Sequence, residues 1–410
     1  MKATFLPRAP METMLVGFVF WFGSYAPLVV FRMFGLKPLY SYVAMIALAV
    51  FYSIARGAAT GTLDILREKR IRWLLAWLLA YVAWGALAFQ QGSQSDIAVQ
   101  VLITLVEMVM LGFAFAALMV NPRRMRLVGA AFVLLAIFDI LIFIFDFFHP
   151  TFTKTPGRAA GFYVDANVAS YALSLIMVCA IETVPRRLRW AFVLACGVGV
   201  LLTFSRSGWI VWGIGVTWMG WQSESRSGVK KLAVATACIV LGAGFLVMVF
   251  FGGLGELLLN TPIGSHLDAS TLARLGVTAS SLSGHSADLH REEIWYSFRE
   301  IGRKPLFGYG LGYVYEWELP VGPHNMYLRF FVEGGLCGLL LYLLLMGLLW
   351  FTSSGVDRVL ALQIIIASFF NHNLLEIPTV IMVMTFLLAR AGLRHRQRRN
   401  EMFALRSGYA

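Results

Sequence analysis

Long apolar runs alternate with short polar breaks along almost the whole chain. By the criterion that a spanning helix needs ~20 mostly apolar residues, about twelve runs qualify. They lie near 11–31, 38–55, 73–90, 97–120, 127–148, 164–184, 190–204, 207–222, 232–251, 325–350, 359–375 and 377–393. The seventh and eighth form a tight pair separated by Ser205-Arg206-Ser207-Gly208, and the last two are broken between Asn371 and Pro378. The predicted fold class is therefore an all-α integral membrane bundle. The expected organisation is nine spans over 1–251, a polar loop over 252–324, three spans over 325–393 and a basic tail over 394–410. The first run is too long for a signal-peptide core and is read as an uncleaved span.

One stretch of the polar loop departs from the apolar pattern. Residues 288–303 carry a helical period, with Ile294, Phe298 and Ile301 on one face and Arg291, Trp295 and Arg299 on another. The spacing predicts a short amphipathic helix on the bilayer surface. Residues 264–287 are rich in Ser, Gly, Thr and Ala and read as an irregular segment.

Composition agrees with this pattern: 59% of residues are hydrophobic and only 14% are charged, against roughly a quarter in soluble domains. The formal charge of +12 is explained by where the basic residues fall. Arg67, Lys69, Arg70 and Arg72 share one break, and Arg123, Arg124 and Arg126 another. Arg186, Arg187 and Arg189 follow, then Arg226, Lys230 and Lys231, then Arg394, Arg396, Arg398 and Arg399. Alternate breaks are thus basic, which predicts cytoplasmic termini and an outward-facing polar loop. The charge accordingly points to membrane lipids and not to nucleic acid. The four cysteines, Cys179, Cys196, Cys238 and Cys337, lie in apolar runs without CxxC spacing. They read as small packing residues and exclude a disulfide framework or a zinc site.

The outward breaks carry the candidate chemistry. Arg158, Arg206, Arg291 and His324 all fall at the predicted outer face. Three guanidinium groups can bind phosphate oxygens bidentately and neutralise charge on a diphosphate leaving group. An imidazole can take a proton from an attacking hydroxyl. Each residue also has a plainer role: Arg206 as a turn cap or snorkelling cation, Arg158 as a lipid-phosphate contact, Arg291 as a solvated helix face, His324 as a backbone-bonded loop residue. No carboxylate pair in the outer breaks has metal-ligand spacing, so the chemistry is expected to need neither metal nor cofactor. Gly308, Gly310 and Gly312 lack the surroundings of a phosphate loop and read as a turn. Glu107, Asp139 and Asp146 lie within or near spans, where acids mark a proton path or pair with a neighbouring helix. Asp165 and Asn167 open the sixth span as capping residues. The Asn371, His372, Asn373 and Glu376 turn reads as solvated surface or a sugar contact.

Four stretches together resemble the bacterial O-antigen ligase and O-antigen polymerase superfamily. They are GRAAGFYVDANVAS, TFSRSGW, REEIWYSFREIGRKPLFGYGLG and HNMYLRFFVEGGLCG. The resemblance implies a metal-independent, inverting membrane glycosyltransferase of the GT-C type. Its donor would be a glycan on undecaprenyl diphosphate, and its site would face the periplasm of the inner membrane. The acceptor would be lipid A–core for a ligase, or a growing polysaccharide for a polymerase. It further implies that Arg158, Arg206 and Arg291 bind the diphosphate while His324 acts at the acceptor hydroxyl, with Asn167, Trp295 and Asn325 as substrate contacts. His266, His285 and His290 share the loop, and His290, beside Arg291, is the rival base. A transporter or flippase of lipid-linked glycans would also have about twelve spans, but predicts internal symmetry and broken mid-membrane helices. A non-catalytic assembly scaffold is the third reading.

Overall fold

The computed structural model describes residues 10–44, 46–48, 51, 68–119, 122–222, 285–319 and 322–407. The described residues are helical throughout, without strands. The principal helices are α1 (Pro10–Gly23), α2 (Ala26–Phe34), α3 (Lys69–Gln91), α4 (Asp96–Leu118), α5 (Pro122–Phe148) and α6 (Ala166–Ala180). They continue with α7 (Arg189–Leu202), α8 (Arg206–Gln222), α9 (His285–Arg303), α10 (Met326–Thr352), α11 (Val356–Ala367) and α12 (Pro378–Ser407).

Four of these, α3, α4, α5 and α10, are long and apolar enough to cross a bilayer alone. A fifth crossing is formed if α1 and α2, bent by 67° at their break, count as one. The bend has a local cause: Tyr25 sits in the left-handed region at φ 64° and Pro27 opens the second helix. Helices α6, α7, α8 and α11 occupy expected runs but hold only 12–17 residues. At 1.5 Å per residue they reach about 18–26 Å, short of the ~30 Å hydrocarbon core. Polar turns cut these runs. Residues 38–44 are helical where the second run was expected, and the run at 232–251 lies outside the described residues, as does most of 252–324 before α9.

The helices share one end. Gly23, at the end of α1, accepts bonds from Tyr163 (2.6 Å) and from Thr379 at the start of α12 (2.8 Å). Ala159 donates to Leu202 at the end of α7 (2.9 Å), Leu311 to Ala88 near the end of α3 (3.0 Å), and Met326 to Ser368 after α11 (2.8 Å). The breaks carrying Arg158, Arg206, His324 and the 371–377 turn therefore gather at this end. The basic residues gather at the other. There Arg123 pairs with Glu12 at 3.0 Å, and Arg390 and Arg394 bridge Asp357 and Glu182.

Helix α9 lies where predicted, but its faces are assigned differently. The protein-facing stripe is Glu293, Tyr296, Ser297, Glu300 and Ile301. Ile294, Trp295 and Phe298 point outward, Trp295 with 68% of its surface open. A separation of apolar from polar residues presumes water outside; here the polar stripe faces protein, and the outward rings suit a lipid interface. Cys179 and Cys196 pack inside as expected, whereas Cys337 is exposed on α10 among outward leucines.

Candidate active site at the outer end of the bundle

Asp146 ends α5 and organises the loop that follows. Fully buried, it accepts from the backbone N–H groups of Thr151 (3.0 Å), Phe152 (2.8 Å), Ala160 (3.0 Å) and Gly161 (2.9 Å). Asp139 accepts from Tyr163 at 3.0 Å. Both acids thus have structural partners, as the plainer reading held; Glu107 is buried on α4.

The folded loop sets Arg158 into the protein with 5% of its surface exposed. Its Nε donates to the Thr203 carbonyl (2.8 Å) and its Nη2 to Asn167 Oδ1 (3.0 Å). Asn167 is held in turn by Asp165, whose carboxylate caps α6 through the N–H groups of Asn167 (2.8 Å) and Val168 (3.2 Å). The Thr-Phe-Ser-Arg-Ser-Gly turn is explained residue by residue. Thr203 supplies the carbonyl for Arg158, and Phe204 turns the chain at φ 47°. Ser205 caps α8 through Gly208 N (3.2 Å). A Cβ on Gly208 would meet Ser170 Oγ at 2.2 Å, so glycine lets α8 close on α6. Arg206 then begins α8 with an exposed side chain, three residues from the Arg158 contact. Two of the three predicted arginines therefore occupy one loop cluster. Arg291 lies on the exposed side of α9, two residues from Glu293 and so about 200° around the helix from it.

His324 occupies a second cluster. Its Nε2 lies 3.9 Å from Glu293 Oε1 of α9, and its ring centroid is 5.5 Å from that of His372. Asn325 caps α10, its Oδ1 accepting from Tyr327 N (2.8 Å) and Leu328 N (3.1 Å); the amide NH2 is the part that could serve a ligand. Trp295, the last predicted contact, is on the outer surface of α9.

The 371–377 turn is not solvated surface. Arg329, buried on α10, pairs with Glu333 (3.2 Å) and with Glu376 (2.6 Å), and donates to the His372 carbonyl (2.8 Å) and to Tyr315 (3.1 Å). Tyr315 donates to Glu376 at 3.0 Å. Burial, then the charge of Arg329, then His324, push the His372 imidazole down to about 3, so it stays neutral. The Gly308–Gly312 run is a turn, as expected, with a packing role. Its glycines have φ of 69°, 101° and 86°. Gly310 N donates to Glu333 O (2.9 Å) and Gly312 N to Glu333 Oε1 (3.0 Å). Burial opposes the charge on Glu300 of α9, but bonds from Tyr309 and Tyr313 and the nearby Arg303 and Arg299 hold it below the ordinary carboxylate range.

Residues 190–343 match the family model described as O-antigen ligase. Over that segment, which is less than half of the chain, the protein is similar to the O-antigen ligase family. No curated protein matches the chain. The matched segment spans Arg206, Arg291, Glu293 and His324, whereas Arg158, Asn167 and His372 lie outside it and are tied to it by the contacts just described. Glu293 and Arg329 were not singled out for chemistry from sequence, and His372 and Glu376 only as a solvated turn or sugar contact, although Arg329 and Glu333, four apart in an apolar run, are a legible ion pair. Among the described residues no three His, Cys, Asp or Glu side chains converge in a metal-binding group. His285 and His290 fall in the first turns of α9, and His266 lies outside the described residues.

Proposed function

We propose that the protein is an inverting, metal-independent glycosyltransferase of the bacterial inner membrane. It moves a glycan from undecaprenyl diphosphate to an acceptor sugar hydroxyl at the periplasmic face. The reading prefers an O-antigen ligase, with lipid A–core as acceptor. The same machinery would serve a polymerase whose acceptor is a growing O-antigen or exopolysaccharide chain. The observation that carries it is the gathering, at one end of the bundle, of the Arg158–Asn167 cluster, the Arg206 turn and His324, with Arg206 and His324 inside the matched segment.

In this reaction the acceptor oxygen attacks C1 of the first donor sugar from the side opposite the diphosphate, and configuration inverts. The C1–O bond breaks and its electron pair leaves with undecaprenyl diphosphate. The acceptor proton passes to His324. Arg158, Arg206 and Arg291 would hold the diphosphate and neutralise its developing charge; Arg158 is held in place by the Thr203 carbonyl and Asn167. Asn167, Trp295 and Asn325 are assigned as substrate contacts. A diphosphate is already a good leaving group, so positioning and charge stabilisation supply most of the rate.

A gene-deletion strain complemented with wild type or His324→Ala tests this reading. The deletion is expected to lose long lipopolysaccharide while lipid-linked polymer persists, and His324→Ala is expected not to restore it. Accumulation of single lipid-linked repeats would identify a polymerase instead. Full restoration by His324→Ala would remove His324 from the chemistry.

A further inference from the structure

We propose that Glu293 is the positioning residue of His324: its carboxylate accepts the Nε2 proton, fixes the ring and its tautomer, and leaves Nδ1 to take the acceptor proton. The inference deepens the transferase reading and rests on it.

Glu293 lies on the stripe of α9 that packs into the protein and is only 3% exposed. A carboxylate so buried is costly unless a cation or hydrogen bonds meet it. His324 is a partner the geometry supplies, at 3.9 Å between Nε2 and Oε1. That spacing is looser than a formed hydrogen bond, and catalytic contacts commonly tighten only when substrate closes the site. When Nδ1 accepts the proton, the ring becomes a cation, and the adjacent carboxylate stabilises it without itself being protonated. A carboxylate behind an imidazole thus sets both orientation and basicity.

The other side of the ring supports the same division of labour. His372 stands 5.5 Å away, ring to ring. A second imidazolium there would oppose charging of His324, but His372 is kept neutral by burial and by Arg329. Its backbone is pinned through the Arg329 bond to its carbonyl. Among the described residues, the titratable groups seen near His324 include Glu293 from α9 and His372 from the 371–377 turn, with Arg329 of α10 behind His372. One carboxylate and one neutral ring favour the singly charged pair that proton uptake creates.

The test uses full-length protein in nanodiscs, with donor and acceptor lipids extracted from the deletion strain. Glu293→Gln keeps shape and removes charge. Its kcat is expected to fall roughly 10- to 100-fold with little change in KM for the donor lipid. Loss of the neighbouring negative charge lowers the proton affinity of the ring, so the acid limb of the kcat profile moves to lower pH. Glu293→Asp, which retains the charge, is expected to recover part of the rate and the wild-type profile. If His324→Ala is inactive but Glu293→Gln matches wild type in rate and pH profile, the positioning role is overturned and the transferase reading stands. If Glu293→Gln abolishes transfer while His324→Ala retains it, the carboxylate is the base and the proposal fails. If both variants match a wild type that transfers glycan, the positioning role is overturned together with the role of His324; if wild type itself transfers nothing, the transferase reading falls.

Discussion

Asp146 and Arg158 are both charged residues taken out of water, and the protein treats them differently. Asp146 spends its oxygens on the backbone of its own loop, whereas Arg158 uses Nε and one Nη2 bond to lock itself against α7 and α6. The first makes the platform and the second is carried on it. Asp146→Ala would strand five backbone N–H groups, of which those of Ala160 and Gly161 are buried, and each unmet buried donor costs about 1–3 kcal/mol. The loop can relax to recover some of this, so a net destabilisation on the order of 3–5 kcal/mol is expected. Thermal unfolding in detergent micelles checks it, and a wild-type melting profile would show that the carboxylate does not hold the loop. The sequence flagged Asp146 as an acid beside a span, and Arg158 and His324 as site candidates. Asp146's bonds reach up to fifteen residues along the chain and Arg158's forty-five, and no periodicity encodes such pairings. Glu293 was hidden for a related reason: as one of two adjacent glutamates on a helix with a solvated reading, it carried no signal until the fold set it against His324.

Between helices the informative residues are glycines. Gly310 combines φ 101° with a hypothetical Cβ 2.4 Å from Gly92 Cα, so a methyl group there is barred by both backbone conformation and contact. Gly310→Ala is expected to cost on the order of 2 kcal/mol or more and to loosen the turn that bonds Glu333. Because Glu333 also pairs with Arg329, transfer activity should fall together with stability. Gly302→Ala is the control: a Cβ there meets nothing within 4 Å, and alanine in a helix is up to about 1 kcal/mol better than glycine. Melting temperatures that fall equally for both variants would refute the close-approach argument. Sequence located most of these elements well, including α9 within a few residues, because apolar runs and helical period are local properties. It separated Ile294, Phe298 and Ile301 from Arg291, Trp295 and Arg299, whereas the stripe facing the protein carries Glu293 and Glu300, which meet His324 and Tyr313 of the 309–324 segment. It matched α7 and α8 to within two residues but drew α6 over 164–184 and α11 over 359–375, where the helices run Ala166–Ala180 and Val356–Ala367.

At the scale of the molecule the two ends differ in chemistry. One end gathers the candidate site; the other gathers Arg123, Arg186, Arg187, Arg390 and Arg394, with Glu12, Asp357 and Glu182 as partners. Helix connectivity alone fixes which breaks share an end, and the inter-helix bonds agree with it. Orientation in the bilayer is a separate matter, and basic loops retained on the cytoplasmic side decide it. The site end should therefore face the periplasm, where lipid-linked glycans are joined in the proposed reaction. Ser93, in the exposed α3–α4 break, and Arg187, in the exposed α6–α7 break, report the two ends. In a background with the four native cysteines replaced, Ser93→Cys is expected to react with a membrane-impermeant maleimide on cells with a permeabilised outer membrane. Arg187→Cys is expected to react only after the inner membrane is lysed. The reverse pattern would put the arginine and histidine clusters in the cytoplasm. That would deny them a donor already moved to the outer leaflet, and the transferase proposal would fail on topology, however well its residues were placed.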